Sequence, residues 1–254
     1  MSDDFVSVRI LAVCASEQDG ELLRKGATLA VIPAYFTHVA TVAAARAALA
    51  EGNVDIALLD ATTAQQDIDG LIEAVGAARN SPAVVMLAPS SQAAADLPAA
   101  AATTAAALKP ANLPDAKALI ESCMRLKVPS RVLVVDDSST VRGIVRKILN
   151  GCRFPIDICE ATDGIDALKQ IGAGKFDFIF LDDNMPGLNG IEMLSQFKRQ
   201  HPRMEVVMMS SAQEAALAAR ARAAGAAGFL RKPFYPSDVD AILYAFHGLR
   251  PPAA

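Results

Sequence analysis

The sequence has few cysteines and histidines, and neither type is spaced as a metal-binding or redox motif. The four cysteines are Cys14, Cys123, Cys152 and Cys159. They form no CxxC pair and have no histidine nearby at metal-ligand spacing, which in a chain of 254 residues indicates free thiols in a reducing compartment. None of the three histidines stands in a catalytic context.

A signal peptide, a membrane span and a basic surface are also lacking. The chain begins with acidic residues where a signal peptide needs positive charge. Its longest low-charge stretch, 82–108, is broken by Pro89, Asp96 and Pro98 and is not a membrane span. Residues 1–127 carry 9 Lys and Arg against 14 Asp and Glu, and the rest carry 15 against 14, so neither half resembles a nucleic-acid-binding domain. We therefore expect a cytoplasmic protein that binds neither membrane nor nucleic acid.

The sequence does contain an internal repeat. The matching segments are RILAVCASE (9–17) and RVLVVDDSS (131–139), GNVDIALLD (52–60) and GKFDFIFLD (174–182), and AVVMLAPSS (83–91) and EVVMMSSAQ (205–213). All three pairs lie 122 residues apart, a spacing too long for a solenoid repeat, so they predict two copies of one domain. A Pro-Ser break at 129–130 places the domains at 1–127 and 131–250.

Within the second copy, short apolar runs alternate with helical periods. The predicted strands are 131–135, 156–159, 177–181, 205–210 and 227–230. They are rich in Val, Ile and Phe, as buried parallel strands are. The first predicted helix is capped by Ser138 or Ser139, and its apolar face is Val141, Ile144, Val145, Ile148 and Leu149. Five strands alternating with five helices predict a doubly wound α/β domain.

Polar residues follow the predicted strands where each one ends. They are Asp136, Asp137, Asp182, Asp183, Ser210, Ser211 and Lys232. Because the carboxyl ends of parallel strands form the ligand crevice, these side chains should converge. Crowded carboxylates suit a hard cation such as Mg²⁺, and a carboxylate beside Mg²⁺ can attack a phosphoryl group to form an aspartyl phosphate. A lysine and a hydroxyl would hold the remaining phosphoryl oxygens.

The motifs VLVVDDSSTVR, LDDNMPGLNG, MMSSA and LRKPF occur here in one order over residues 131–250. This combination resembles the response-regulator receiver domain, the family of the bacterial chemotaxis response regulator. The resemblance implies two doubly wound (βα)5 flavodoxin-like receiver domains in tandem, with strand order 2-1-3-4-5. It also implies a phosphoryl donor that is another protein, either a sensor histidine kinase or a phosphotransfer protein, and Mg²⁺ as the cofactor.

The resemblance assigns roles to the acidic residues. It implies Asp182 as the phosphoacceptor, and Asp136, Asp137, Asp182 and the backbone carbonyl of Asn184 as metal ligands. Asp183 matches a variable position, so we expect it to be an exposed loop acid.

The remaining site residues follow from the same resemblance. It implies that Ser211, rather than the neighbouring Ser210, binds the phosphoryl group together with Lys232. Phe229 falls where the family keeps an aromatic side chain that changes rotamer on activation.

A basic stripe runs along the first helix of the second copy and consists of Arg142, Arg146 and Lys147. Such a stripe is typical of a solvated helix face. The resemblance leaves a second interpretation open, in which the stripe is a docking site for the donor kinase, because the first helix of a receiver domain contacts that kinase.

The first copy resembles a receiver domain that lacks several of the residues needed to accept a phosphoryl group. At the equivalent positions the acid pair is replaced by Cys14 and Ala15, and Ser211 is replaced by Pro89, whereas Asp60 and Lys109 remain. We expect Asp60 and Lys109 to form a salt bridge and Asp60 to stay unphosphorylated. The altered region of its fourth helix is a candidate platform for a partner or a homodimer.

The sequence thus predicts a two-component response regulator with a degenerate and an active receiver domain. After the last helix the chain stops, so we expect no output domain, and signalling by protein–protein contact or phosphate relay. We expect a regulatory protein rather than an enzyme, with at most slow autodephosphorylation. One alternative is a phosphorylation-independent scaffold. Another is a haloacid-dehalogenase-type phosphatase, but its signature requires an acidic residue at the position where this chain has Asn184.

Overall fold

The computed structural model describes residues 7–97, 103–185, 190–202, 204–211 and 215–252. The chain divides into two compact units. One comprises Met1–Val128 together with His247–Ala254, and the other comprises Pro129–Phe246. The second unit therefore differs from the predicted range 131–250 at its end, since the last eight residues group with the first unit.

The first unit alternates strands and helices. Its elements are β1 (Val8–Val13), α1 (Glu17–Thr28), β2 (Ala34–Val39), α2 (Val42–Ala50), β3 (Ile56–Asp60), α3 (Gln65–Ala77), β4 (Ala83–Ala88), α4 (Ser91–Ala95), β5 (Thr103–Leu108) and α5 (Leu113–Met124). The strands pair in parallel in the order β2-β1-β3-β4-β5. Its fourth helix is only five residues long.

The second unit repeats this arrangement. Its elements are β6 (Ser130–Val135), α6 (Ser139–Asn150), β7 (Ile156–Ala161), α7 (Gly164–Ala173), β8 (Phe178–Asp182), α8 (Gly190–Gln200), β9 (Glu205–Ser210), α9 (Ala215–Ala223), β10 (Gly228–Arg231) and α10 (Pro236–Phe246). The parallel sheet has the order β10-β9-β8-β6-β7, which is again 2-1-3-4-5. The predicted fold class, two flavodoxin-like (βα)5 domains in tandem, is confirmed.

The central strand of each sheet explains the repeated apolar runs. Every residue of β3 and of β8 is buried, because helices cover both faces of a parallel sheet. On one side of the second sheet Leu194 and Phe197 of α8 pack into the core. Ser138 caps α6, as predicted, by accepting a hydrogen bond from the Val141 backbone N–H. Ile144, predicted to face the core, is instead 53% exposed.

Arg250 pairs with one residue of β5, an edge strand of the first sheet. Arg250 pairs with Ala106 of β5 as an antiparallel bridge, with backbone hydrogen bonds of 2.8 and 2.9 Å. The Arg250 guanidinium also donates to the backbone carbonyl of Ser91. In the described part of the chain no helix is long and apolar enough to cross a bilayer.

Candidate functional site

The acidic residues predicted from the sequence meet at the carboxyl edge of the second sheet. Asp136 and Asp137 follow β6 directly, and Asp182 is the last residue of the neighbouring strand β8. One carboxylate oxygen of each lies within 4.8 Å of the others. Asp136 and Asp182 are buried, whereas Asp137 is exposed. Three hard oxygen donors at this spacing, one of them open to solvent, suit a divalent cation that retains water.

Lys232 joins the two buried carboxylates. Its Nζ lies 2.9 Å from Oδ2 of Asp136 and 2.7 Å from Oδ1 of Asp182. Burial alone would lower the pKa of Lys232, but the hydrogen bonds and charges of Asp182 and Asp136 outweigh it and raise that pKa. The lysine is therefore a fixed positive charge beside the acid cluster.

Backbone amides hold the other carboxylate oxygens. The Ser138 N–H donates to Oδ1 of Asp136 at 2.9 Å, and the Asn184 N–H donates to Oδ2 of Asp182 at 3.2 Å. Each carboxylate thus has one oxygen on a backbone amide and one on Lys232. Since every carboxylate oxygen has two lone pairs, both groups can still bind a cation or react.

The two neighbouring serines have different surroundings. Ser210 is buried, and its hydroxyl donates to Oδ2 of Asp183 at 3.3 Å. Ser211 is exposed and lines the same cavity as Lys232. These positions favour Ser211 as the hydroxyl available to a phosphoryl group.

The environment of Asp183 differs from the prediction that this residue is an exposed loop acid. It is partly buried, and its backbone N–H bonds the Met209 carbonyl at 2.9 Å. Burial, together with the charge of Asp182, raises the pKa of Asp183. The contact with Ser210 depends on how β8 and β9 pair, and no spacing in the sequence signals it.

Phe229 lies on β10, half-buried against the core. Together with Ser211 and Lys232 it lines a cavity of about 580 Å³. The structure therefore places the predicted switch aromatic, hydroxyl and lysine around one opening.

Two arginines of the basic stripe are not free. Arg142 and Arg146 both form ion pairs with Glu160 of β7. Hydrogen bonds from Arg146 and then from Arg142 keep the pKa of Glu160 below its ordinary value. The prediction of a simple solvated face was wrong for Arg142, whose side chain is only 12% exposed.

Residues 132–244 match the model of the response regulator receiver domain. Chemotaxis protein CheY-3 of Vibrio cholerae is 36% identical over 106 residues, a match that covers 41% of this chain and 81% of that protein. The chain belongs to the response regulator receiver family. A second relative, response regulator UvrY of Escherichia coli, is 35% identical over 120 residues, covering 47% of this chain and 55% of its own length.

One solved structure matches both receiver-like units together. It is that of a "probable two-component system response regulator/GGDEF domain protein", with 21% identity, a TM-score of 0.50, and coverage of 94% of this chain and 97% of the other. This likeness supports the tandem fold alone.

Among the described residues of the first unit, no cluster of three acids occupies the corresponding edge. Lys109 Nζ lies 2.7 Å from Asp60 and 3.5 Å from Asp19, which confirms the predicted salt bridge. Thr62 donates two further hydrogen bonds to Asp60. Cys14 occupies the position equivalent to Asp136. Burial and then the charges of Asp19 and Asp60 raise the pKa of Cys14 to about 11. The thiol is therefore protonated at neutral pH and is a poor ligand for a hard cation.

Proposed function

We propose that the second receiver domain accepts a phosphoryl group on Asp182 from a histidine kinase or phosphotransfer protein. The observation that carries this proposal is the placement of Asp182 within 4.8 Å of two further carboxylates and 2.7 Å from Lys232. In this proposal Mg²⁺ is held by Asp136, Asp137, Asp182 and the backbone carbonyl of Asn184. When bound, it neutralises charge on the phosphoryl oxygens.

The chain's own groups account for the transfer. A carboxylate oxygen of Asp182 attacks phosphorus, the new O–P bond forms, and the bond from phosphorus to the donor nitrogen breaks. The electron pair of the broken bond stays on the donor nitrogen. The imidazole leaves as a neutral ring, because it either already carries a proton on its other nitrogen or takes one from solvent. Lys232, fixed as a cation between Asp136 and Asp182, then offers its charge to a phosphoryl oxygen.

The exposed hydroxyl of Ser211 is the group that responds to the new phosphoryl group. In the proposed switch it moves towards Asp182, and Phe229 turns into the cavity that it shares with Ser211 and Lys232. Phosphorylation would thus shift the domain between two conformations and alter the surface offered to a downstream protein. The role is regulatory, with no substrate turnover beyond slow loss of the phosphate.

Intact-mass spectrometry after incubation with acetyl phosphate and Mg²⁺ tests the proposal. We expect one phosphate on the wild type and on Asp60→Asn, and none on Asp182→Asn. Asp60 is the matched control, because it ends the equivalent strand of the other unit beside its own lysine. Asp183→Asn should also accept one phosphate.

The outcome separates the proposal from the two rival functions. No phosphate on any variant would favour a phosphorylation-independent scaffold. Phosphate on Asp182→Asn but not on Asp60→Asn would move the phosphoacceptor to the first unit. Steady hydrolysis of a phosphomonoester would revive the phosphatase hypothesis.

A further inference from the structure

Arg142 connects the acid cluster to the neighbouring edge strand. From the first turn of α6, its Nη1 donates to the backbone carbonyl of Asp136 at 2.8 Å. Its Nε donates to Oε2 of Glu160 on β7, also at 2.8 Å. The guanidinium is a rigid planar fork, so anchoring one nitrogen on Glu160 fixes where the other points.

The carbonyl held by Arg142 belongs to the peptide bond that joins Asp136 to Asp137. Because a peptide unit is planar, fixing its oxygen also fixes the direction in which Asp137 leaves it. The Asp136 carboxylate is already held by Ser138 and Lys232. Asp137 is exposed, and within the described residues its side chain has no hydrogen bond or ion pair. Its placement therefore depends on its backbone.

We propose that Arg142 is a positioning residue of the metal site, holding the peptide between Asp136 and Asp137 so that both carboxylates face one cation. Glu160 is the anchor that keeps Arg142 in place. This inference rests on the proposed function, because it assumes that the acid cluster binds Mg²⁺.

The direction in which the Mg²⁺ affinity changes when Arg142 is replaced distinguishes a positioning role from a charge effect. A guanidinium near the cluster repels a divalent cation, so removing its charge alone should strengthen Mg²⁺ binding. If Arg142 instead orients the ligands, removing it should weaken binding. Loss of a group that orients a metal ligand commonly weakens metal affinity about 10- to 100-fold.

Arg146 provides a matched control. It pairs with the same Glu160, and in the described part of the chain it makes no contact with Asp136. Arg146→Met removes one positive charge from α6, as Arg142→Met does, but leaves the Asp136 carbonyl bonded. The two variants therefore differ in the contact under test.

The experiment is calorimetric titration of the full-length chain with MgCl₂, with thermal unfolding in the absence of Mg²⁺ measured alongside. We expect Arg142→Met to raise the Mg²⁺ dissociation constant by about tenfold or more, and Arg146→Met to leave it unchanged or lower. Without metal, the backbone amide of Asp137 should exchange with solvent faster in Arg142→Met than in Arg146→Met. If Arg142→Met does not fold, Arg142→Lys, which cannot span both partners as a fork, takes its place.

If the Arg142 variant bound Mg²⁺ as tightly as the wild type or more tightly, the inference would be overturned, while the proposal that Asp182 is the phosphoacceptor would stand. Equal weakening by both arginine variants would also overturn it, since the effect would then come from Glu160. A wild type that binds no Mg²⁺ would overturn the metal site of the proposed function as well.

Discussion

Lys109→Met tests whether the first unit depends on its internal ion pair for stability. The substitution leaves the Asp60 carboxylate, 6% exposed, without its cation. Removing one partner of a buried pair typically costs about 3–5 kcal/mol in the free energy of unfolding. Thr62 keeps two hydrogen bonds on Asp60, and Lys109 is 24% exposed, so we expect the low end, about 3 kcal/mol at pH 7.

The stability that Lys109→Met removes should depend on pH in a defined direction. In the wild type, burial would raise the pKa of Asp60, but the hydrogen bonds from Lys109 and Thr62 outweigh it and lower that pKa. The pair's contribution is therefore present above the unfolded-state value of about 3.9 and is lost as the pH falls through the folded-state value. Without Lys109, burial should raise the pKa of Asp60, so the cost of the substitution should shrink towards pH 4.

The assay is urea unfolding of the full chain, with pulsed hydrogen exchange of β3 amides reporting on the first unit alone. The double variant Lys109→Met with Asp60→Asn should recover most of the lost stability at pH 7, because no buried charge remains. A cost that is the same at pH 7 and pH 4, or that the double variant does not relieve, would refute the reasoning.

Three further predictions concern the second unit. A Cβ at Gly190 would lie 2.7 Å from the backbone Cα of Asp183. The backbone beside Asp182 would have to shift, so Gly190→Ala should slow phosphorylation of Asp182 by about 10- to 100-fold. Gly172 of α7 has open space around it, so Gly172→Ala should instead raise the free energy of unfolding by about 0.5–1 kcal/mol in urea unfolding. Burial raises the pKa of Asp240, so the folded protein holds this proton more tightly than the unfolded chain, and stability should fall as the pH rises above about 3.9. Asp240→Asn should therefore gain stability relative to the wild type as the pH rises above about 3.9. Urea midpoints that keep a constant difference across this rise would contradict the prediction.

The sequence predicted the sheet and the acid cluster well because both follow from local pattern. A buried parallel strand must be apolar throughout, as 178–181 are, and Asp182 breaks that pattern at the carboxyl end, the edge where such sheets place their ligand sites. The repeat then predicted the same strand in the first unit, ending at Asp60.

Other side-chain contacts between elements distant in sequence were not predictable in this way, unlike the Asp60–Lys109 pair. The bonds of Arg142 to Glu160 and of Ser210 to Asp183 depend on how neighbouring strands align, and residue spacing along the chain does not encode that alignment. Ile144 has the periodicity of a core residue, yet α6 turns it outward. Periodicity identifies an apolar face, but packing decides which of its members are covered.

The pairing of Arg250 with β5 makes the first unit discontinuous in sequence. During synthesis, the ribosome must release the whole second domain before Arg250 emerges. Until then the N–H and carbonyl groups of Ala106 lack the partner that Arg250 provides, and unpaired groups on an edge strand attract other extended chains. A fragment ending near residue 128 would never gain this pairing, and its tendency to self-associate should be relieved by adding residues 247–254 in trans or by fusion.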